Sequence, residues 1–396
     1  MATKKKEAAP AVKVKKSPTV ASGNAQLLKA LGKSGVDRIC RGGDVVDSYR
    51  YVDFVDPETG GPCLPLEYLF GTRGMAAGTI IKLEGPGHVG KTAVTLMLYG
   101  MAQHARSDSY VAHLESENTP PPPEFADLLG CDPTMYLLSQ PHSVAECLQT
   151  LEKIIDTLRT AVDPGKANPI VVGIDSISGL SEKEKEAETM GSGADEKGAK
   201  AVHAKMFSRW FRKMGTVLSE QDVVLICTAQ PKANIQMGPF PTPGAKTQVT
   251  LADAAFSYHA STGIKVRRSR WDVAGTHVGG TVTLSTWKNK LNQGDRTIRV
   301  NQWAVESKPD ENKSVWDFGS ATRAVLKQYL AGYQMLPGGW YRCPGVTETN
   351  KRWPDFSAAL YENEELIYNL REQMRIKGYG FEFETKYQSA RQGGKD

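Results

Sequence analysis

Residues 79–98 read TIIKLEGPGHVGKTAVTLML, and few stretches restrict a fold as tightly. An apolar run with β-branched residues leads into Gly85-Pro86-Gly87-His88-Val89-Gly90, then Lys91-Thr92 and a helix-forming segment. The spacing Gly-x-x-x-x-Gly-Lys-Thr is that of a phosphate-binding loop between a strand and a helix. Glycines let the backbone close around phosphate oxygens, so that successive N–H groups and the following helix N-terminus meet the anion. Lys91 then reaches the β- and γ-phosphates, and the Thr92 hydroxyl takes a Mg²⁺ position.

The rest of the chain supplies the sheet such a loop needs. Strand-like runs recur at 79–85, 109–116, 135–140, 168–176, 222–230 and 281–288, with helical stretches between several of them. Crowding of Val, Ile and Leu in the fourth and fifth points to strands covered on both faces. The alternation predicts an α/β fold with a helix-covered, mainly parallel sheet. Two Gly/Pro-rich stretches, 189–198 and 231–248, interrupt it, and long loops inside a domain are uncommon unless they carry function. Helical patterns return at Ser320–Leu330 and Asp355–Met374, around the turn Leu336-Pro337-Gly338-Gly339.

Composition narrows the class. The chain has 396 residues, 40% hydrophobic and 23% charged, as an ordinary globular protein does. No apolar run reaches membrane-spanning length. The first sixteen residues carry six Lys and one Glu without an apolar core, which reads as a solvated basic tail with a helical candidate near Ala25–Leu31 beyond it. The six cysteines are scattered with no C-x-x-C pair, so neither a disulfide nor a metal framework is expected, and a reducing, cytoplasmic setting fits. The net charge of +5 hints only weakly at a polyanion.

Next to a phosphate loop, an acid at a strand end supports the metal, and Asp175 closes the run PIVVGID. A hydrolase also needs an acid to activate water. Glu115 and Glu117 end the strand VAHL and fall on one side of it by period two, so either is a candidate base, with the other supporting it. Asn289-Lys290-Leu291-Asn292 lacks the Asp that guanine recognition needs in an Asn-Lys-x-Asp motif, which argues against a GTPase.

In order along the chain, these motifs resemble the bacterial RecA recombinase family with its phage relatives of the UvsX type. "LESEN" (114–118), "LLGCDPTMYLLSQP" (128–141), "VVGIDSISGL" (171–180), "ICTAQ" (226–230), "YHASTGIKVRR" (258–268), "WKNK" (287–290) and "GGWY" (338–341) carry the likeness, over about 60–375. It implies Glu117 as the catalytic glutamate, Gln230 as the γ-phosphate sensor that opens the second DNA loop, and Lys288 and Lys290 as cations reaching a neighbouring protomer's γ-phosphate. Where bacterial members have an Asp against the adenine, Thr119 and Pro120–Pro123 are found, so Phe125 becomes the candidate to stack on the base. The implied architecture is a disordered tail (1–20), an N-terminal protomer-docking region (21–60), a RecA-like ATPase core (61–307) and a small α/β C-terminal domain (308–396). The implied activity is a DNA-dependent ATPase, using ATP and Mg²⁺, that forms helical filaments on single-stranded DNA with ATP at protomer interfaces and pairs it with double-stranded DNA. Mediator or single-strand-binding proteins would be further partners, and no membrane is involved. A RecA-fold ATPase of another class, a hexameric motor or a regulatory assembly, is the alternative.

Residues 203–214 show how the DNA would be held. Phe207, Trp210, Phe211 and Met214 recur at i, i+3, i+4 and i+7 as a core stripe, and Lys205, Arg209 and Arg212 line a basic one. A basic helix face is often only solvated; here it lies between two long loops (188–200 and 231–248) that line the filament axis in RecA-like proteins. Lys205 and Arg212 match family positions that hold the DNA backbone. In the second loop Lys232 would meet phosphate, and Ile235, or else Met237, would wedge between bases. Met190 is the weaker counterpart in the first loop.

Overall fold

The apolar runs fold as neighbouring strands. The computed structural model describes residues 50–106, 109–162, 169–180, 196–233, 248–249, 253–292, 295–308, 314–330, 335–336, 340–343 and 347–361. All of them belong to a compact unit that begins at Arg50, so the basic tail and the 25–31 helical candidate lie outside the described residues. In chain order, β1 (Tyr51–Asp53), α1 (Leu64–Phe70) and β2 (Gly74–Ala76) come first, the two strands pairing antiparallel. Next come β3 (Ile80–Glu84), α2 (Lys91–Ala105), β4 (Tyr110–Glu115), α3 (Pro123–Leu128), β5 (Tyr136–Ser139), α4 (Val144–Thr157) and β6 (Ile170–Asp175). After α5 (Glu196–Glu220) and β7 (Val223–Ala229), the short β8 (Lys232–Ala233) and β9 (Gln248–Val249) pair with each other. The chain continues through α6 (Asp253–His259), β10 (Thr262–Val273), β11 (Thr276–Asn289), β12 (Thr297–Trp303), β13 (Trp316–Asp317) and α7 (Phe318–Leu330). A small antiparallel sheet of β14 (Met335–Leu336), β15 (Trp340–Cys343) and β16 (Thr347–Arg352) precedes α8 (Trp353–Tyr361).

Among the described residues the main sheet has nine strands in the order β13-β12-β11-β10-β3-β7-β6-β4-β5. Pairing is parallel from β10 through to β5 and antiparallel from β10 out to β13. The fold is thus α/β with a mainly parallel, helix-covered sheet. β6 and β7 are buried at every position, as their unbroken Val/Ile/Leu runs predict. The sheet runs past residue 307: Trp316 of β13 is 1% exposed and pairs with Gln302 of β12.

Two apolar clusters cover the two faces. One gathers α1, α2 and α7 around Leu96, Tyr99, Phe70 and Trp316; α2 is buried continuously from Ala93 to Gln103. The other gathers α4, α5 and α6 around Leu151, Phe207, Phe211 and Phe256. α4 shows how sequence makes such a helix. Ser143 caps it by accepting from Glu146 N at 3.2 Å, and Val144, Cys147, Leu148, Leu151 and Ile155 form its buried stripe.

The helix read over 203–214 extends in both directions. Residues 196–200, placed in the first loop from sequence, are the first turns of α5, since Ala, Lys and Glu there favour helix and the single glycine is tolerated. The loop therefore ends by residue 195, and its central part, Met190 included, lies outside the described residues. The pattern expected over 355–374 is helical at 353–361, and residues 362–374 lie outside the described residues.

Phe211 is the hub of the α5–α6 contact, with ring centroids 5.3 Å from Trp210, 4.7 Å from Phe256 and 5.2 Å from His259. Phe211→Ala should therefore cost about 3–5 kcal/mol in denaturant unfolding. Lys213→Ala, which removes an exposed pair with Glu152 (2.9 Å), should cost at most ~1 kcal/mol.

Candidate active site

Parallel strands bring their carboxyl ends to one edge, and the glycine loop leaves β3 at that edge. Two glycines are required by geometry. A Cβ on Gly85 would collide with the Val266 carbonyl of β10, and Gly90, at φ +90°, caps α2 in a conformation that L side chains rarely adopt. The Lys91 ammonium folds back on its own loop, 3.1 Å from Gly85 O and 2.8 Å from Pro86 O. Burial lowers its pKa, while Asp175 and Glu117 draw it back up.

Asp175 sits at the centre. Thr92 Oγ1 donates to its Oδ2 at 2.5 Å, and the Thr228 hydroxyl of β7 donates to its Oδ1. The carboxylate is 5% exposed, and these hydroxyls satisfy it. A threonine hydroxyl backed by a carboxylate is an all-oxygen donor set that suits Mg²⁺. The parallel register sets Glu115 directly beside Asp175. Glu115 does not face solvent: its Oε1 accepts from Glu117 N at 2.6 Å, and it is 3% exposed. Glu117 is exposed, and Ser176 Oγ donates to its Oε1 at 2.7 Å. The two acids left open by period two thus differ in place, one buried as a support and one presented at the edge.

Gln230 comes directly after β7 at the same edge. Its N–H donates to Ser178 Oγ at 3.1 Å, and its side-chain amide lies against the loop, where a Cβ on Gly87 would be 3.2 Å from Nε2. Phe125 is half-buried and packs on the cluster around α2. Lys288 and Lys290 reach one target together. Lys288 Nζ donates to Ser257 O and, at 3.1 Å, to Tyr258 O; Lys290 Nζ donates to Tyr258 O at 2.8 Å. Both ammoniums therefore sit at the C-terminal end of α6, where carbonyls lack helical partners.

A family model for the RecA N-terminal domain matches residues 19–303. The chain belongs to the RecA family. It is 27% identical over 328 residues to Protein RecA of Bacillus licheniformis (81% of this chain, 82% of that one). The Bacillus subtilis protein of the same name is 26% identical over the same shares. RecA-family membership supports recombinase and ATPase function in general. No helix among the described residues is long and apolar enough to cross a membrane.

Against this RecA-type core, α5 presents two unlike faces. Phe207, Trp210, Phe211 and Met214 are buried, as their spacing predicts, whereas Lys205, Arg209 and Arg212 are exposed. The second loop is closed at its base, because Lys232 of β8 pairs with Val249 of β9. Ile235 and Met237 lie outside the described residues.

Sequence reasoning passed over several residues of this site. Ser116 Oγ donates to Ser176 O at 2.5 Å and accepts from Ser176 N at 3.0 Å, pinning the end of β4 to the end of β6. Thr228, Ser176 and Ser178 carry no spacing signal that sets them apart from other hydroxyl residues in the sequence. His113 had one signal, its place two residues before Glu115 on a buried strand. Tyr258 and His259 complete the basic corner: burial lowers the His259 pKa, and Lys290, Arg212 and Lys288 lower it further.

Burial first, then repulsion from Lys290, brings the Lys288 pKa down from 10.5 to about 8. Its charge is held below that pH and lost as pH rises through it. In ¹³Cε-lysine NMR, Lys288 should titrate with a midpoint about 8, and Lys290→Ala should move that midpoint upward.

Proposed function

We propose that this protein is an ATP-dependent recombinase that assembles as a helical filament on single-stranded DNA, hydrolyses ATP between protomers, and exchanges strands with homologous duplex. The observation that carries this reading is the meeting of Lys91, the Thr92–Asp175 pair and Glu117 at one sheet edge.

The nucleotide's phosphates occupy the loop amides and the N-terminus of α2. Lys91 exchanges the Gly85 and Pro86 carbonyls for the β- and γ-phosphates, a short swing from where it lies. Thr92, oriented by Asp175, would hold Mg²⁺, which supplies charge neutralisation at the phosphates. Glu117, held by Ser176, positions the attacking water and takes its proton. Gln230 touches the loop at Gly87 and leads directly into β8, so γ-phosphate occupancy and the 231–248 loop are linked through one residue. Lys288 and Lys290 act across the protomer interface, where they stabilise transition-state charge. Lys205, Arg209 and Arg212, with Lys232, hold the DNA backbone; bases are wedged by Ile235 or Met237, with Met190 opposite.

Glu117→Gln separates assembly from turnover. The variant should form persistent filaments with ATP on single-stranded DNA, seen by electron microscopy, while phosphate release falls at least ~10²-fold. Wild-type turnover in the variant would overturn the assignment, and closed rings in place of filaments would favour the motor or regulatory class.

Binding to single-stranded DNA should weaken steeply with salt as counterions are released. Lys205→Ala/Arg212→Ala should reduce the slope of log K against log salt by about 1.4, at about 0.7 for each lost contact. An unchanged slope would make α5 a merely solvated face.

A further inference from the structure

Behind the phosphate loop three buried side chains converge: His113 and Glu115 on β4, and Asp175 on β6. One donor atom from each lies within 4.8 Å of the others, and the residues are 0%, 3% and 5% exposed. The sheet enforces this meeting. Period two puts His113 and Glu115 on one face of β4, and the register puts Glu115 beside Asp175.

The hydrogen bonds decide which atoms face one another. The Tyr99 hydroxyl of α2 lies 3.2 Å from Ala112 O and 3.1 Å from His113 Nδ1. The tautomer of His113 sets the direction: either the phenolic proton meets Ala112 O and Nδ1–H donates to the phenolic oxygen, or the proton meets Nδ1 and Nε2–H donates to Glu115. His113 Nε2 points at Glu115 Oε2, 3.4 Å away. Glu115 Oε1 is taken by the Glu117 amide, which leaves Oε2 turned inward. The Asp175 oxygens accept from two threonines and each keeps a second lone pair. Three buried groups therefore turn donor atoms toward one another, and a cation that takes Nε2 would release any proton shared between it and Glu115. With Nε2 on a cation, Nδ1–H would donate to the Tyr99 oxygen, the outer-shell hydrogen bond that fixes a ligating histidine.

We propose that His113 Nε2, Glu115 Oε2 and Asp175 form an inner-sphere site for a divalent cation of the nitrogen-accepting kind (Mn²⁺, Co²⁺ or Zn²⁺). It adjoins the all-oxygen position at Thr92 and shares Asp175 with it. The imidazole decides the class, because Mg²⁺ prefers oxygen ligands whereas these ions take nitrogen readily. Bonds near 2.1 Å span at most about 4 Å across one ion, so binding draws the three donors together by under an ångström. The ion offsets two adjacent buried carboxylates. Through Glu115 it also fixes the backbone amide of Glu117, so a cation that never touches nucleotide sets the pose of the base.

The test uses the full-length, nucleotide-free protein in metal-stripped buffer, titrated with Co²⁺ and followed by visible absorption and calorimetry. One equivalent should bind with ligand-field bands unlike those of the aqueous ion, and Mg²⁺ should displace it poorly. His113→Gln should weaken Co²⁺ binding by about 100-fold, and Tyr99→Phe, which keeps the ring and loses the outer-shell bond, by about 10-fold. A spectrum that stays that of the aqueous ion overturns the proposal, as does an isotherm that His113→Gln leaves unmoved in natively folded protein. Should that variant fail to fold, Tyr99→Phe decides alone, and an unmoved isotherm again overturns it. Fluorescent-nucleotide binding with Mg²⁺ on the same preparations reports the phosphate loop separately, so failure of the cation site and failure of the ATPase reading are distinguishable.

Discussion

The Asp175 carboxylate ties together parts of the chain that lie far apart in sequence. Thr92, 83 residues earlier, and Thr228, 53 residues later, both donate to it. One hydroxyl comes from the start of α2 and the other from the end of β7, so the loop, β6 and β7 are fixed at a single anion. Burying that charge is tolerable only because hydroxyls answer it, and charge-assisted bonds of this kind are the strong ones. A slip of one residue in β7 would turn Thr228 to the opposite face and leave Oδ1 without its donor. Register and site are therefore one constraint.

The layers explain why the remaining groups stand where they do. α2 is buried almost all round, so the loop at its head is anchored by packing rather than by a side-chain cap. α5 is anchored from the other face. Its aromatic stripe meets Phe256, and α6 ends close by, at the Tyr258 carbonyl where Lys288 and Lys290 dock. The basic face of α5 and the lysine pair thus share one packed unit. Arg212, Lys288 and Lys290 all bear on His259, so displacing either element changes the electrostatics of the other.

Gly263 shows how closely that unit is fitted. A Cβ there would run into the Trp287 ring, so the glycine gives Trp287 its place at the bulge between β10 and β11. The Lys82 ammonium lies 5.5 Å from that ring and 3.0 Å from Glu84, on the strand that delivers the phosphate loop. The lysines just beyond Trp287 are consequently held to the same strand that carries Gly85.

By itself the sequence determined what depends on neighbours along the chain. The loop's glycines and Lys91-Thr92, the buried runs of β6 and β7, and the stripe of α5 are local periodicities, and each is where its pattern put it. The RecA likeness was legible for the same reason, since its motifs are short and contiguous. Tertiary structure decided the rest. β3 lies between β7 and β10, so Val266 presses on Gly85 and Gln230 reaches Gly87, pairings that no local pattern contains. β10 escaped a pattern reading because its far half is exposed on both faces, leaving only Thr262–Val266 with a core signature. Glu115 and Glu117 were indistinguishable by spacing. Only the register with Asp175 buried one and left the other at the edge, and only the α2–β4 packing gave His113 its tyrosine. Strand order and register arise from contacts distant in sequence, and side-chain chemistry at a strand end is set by whichever strand comes to lie beside it.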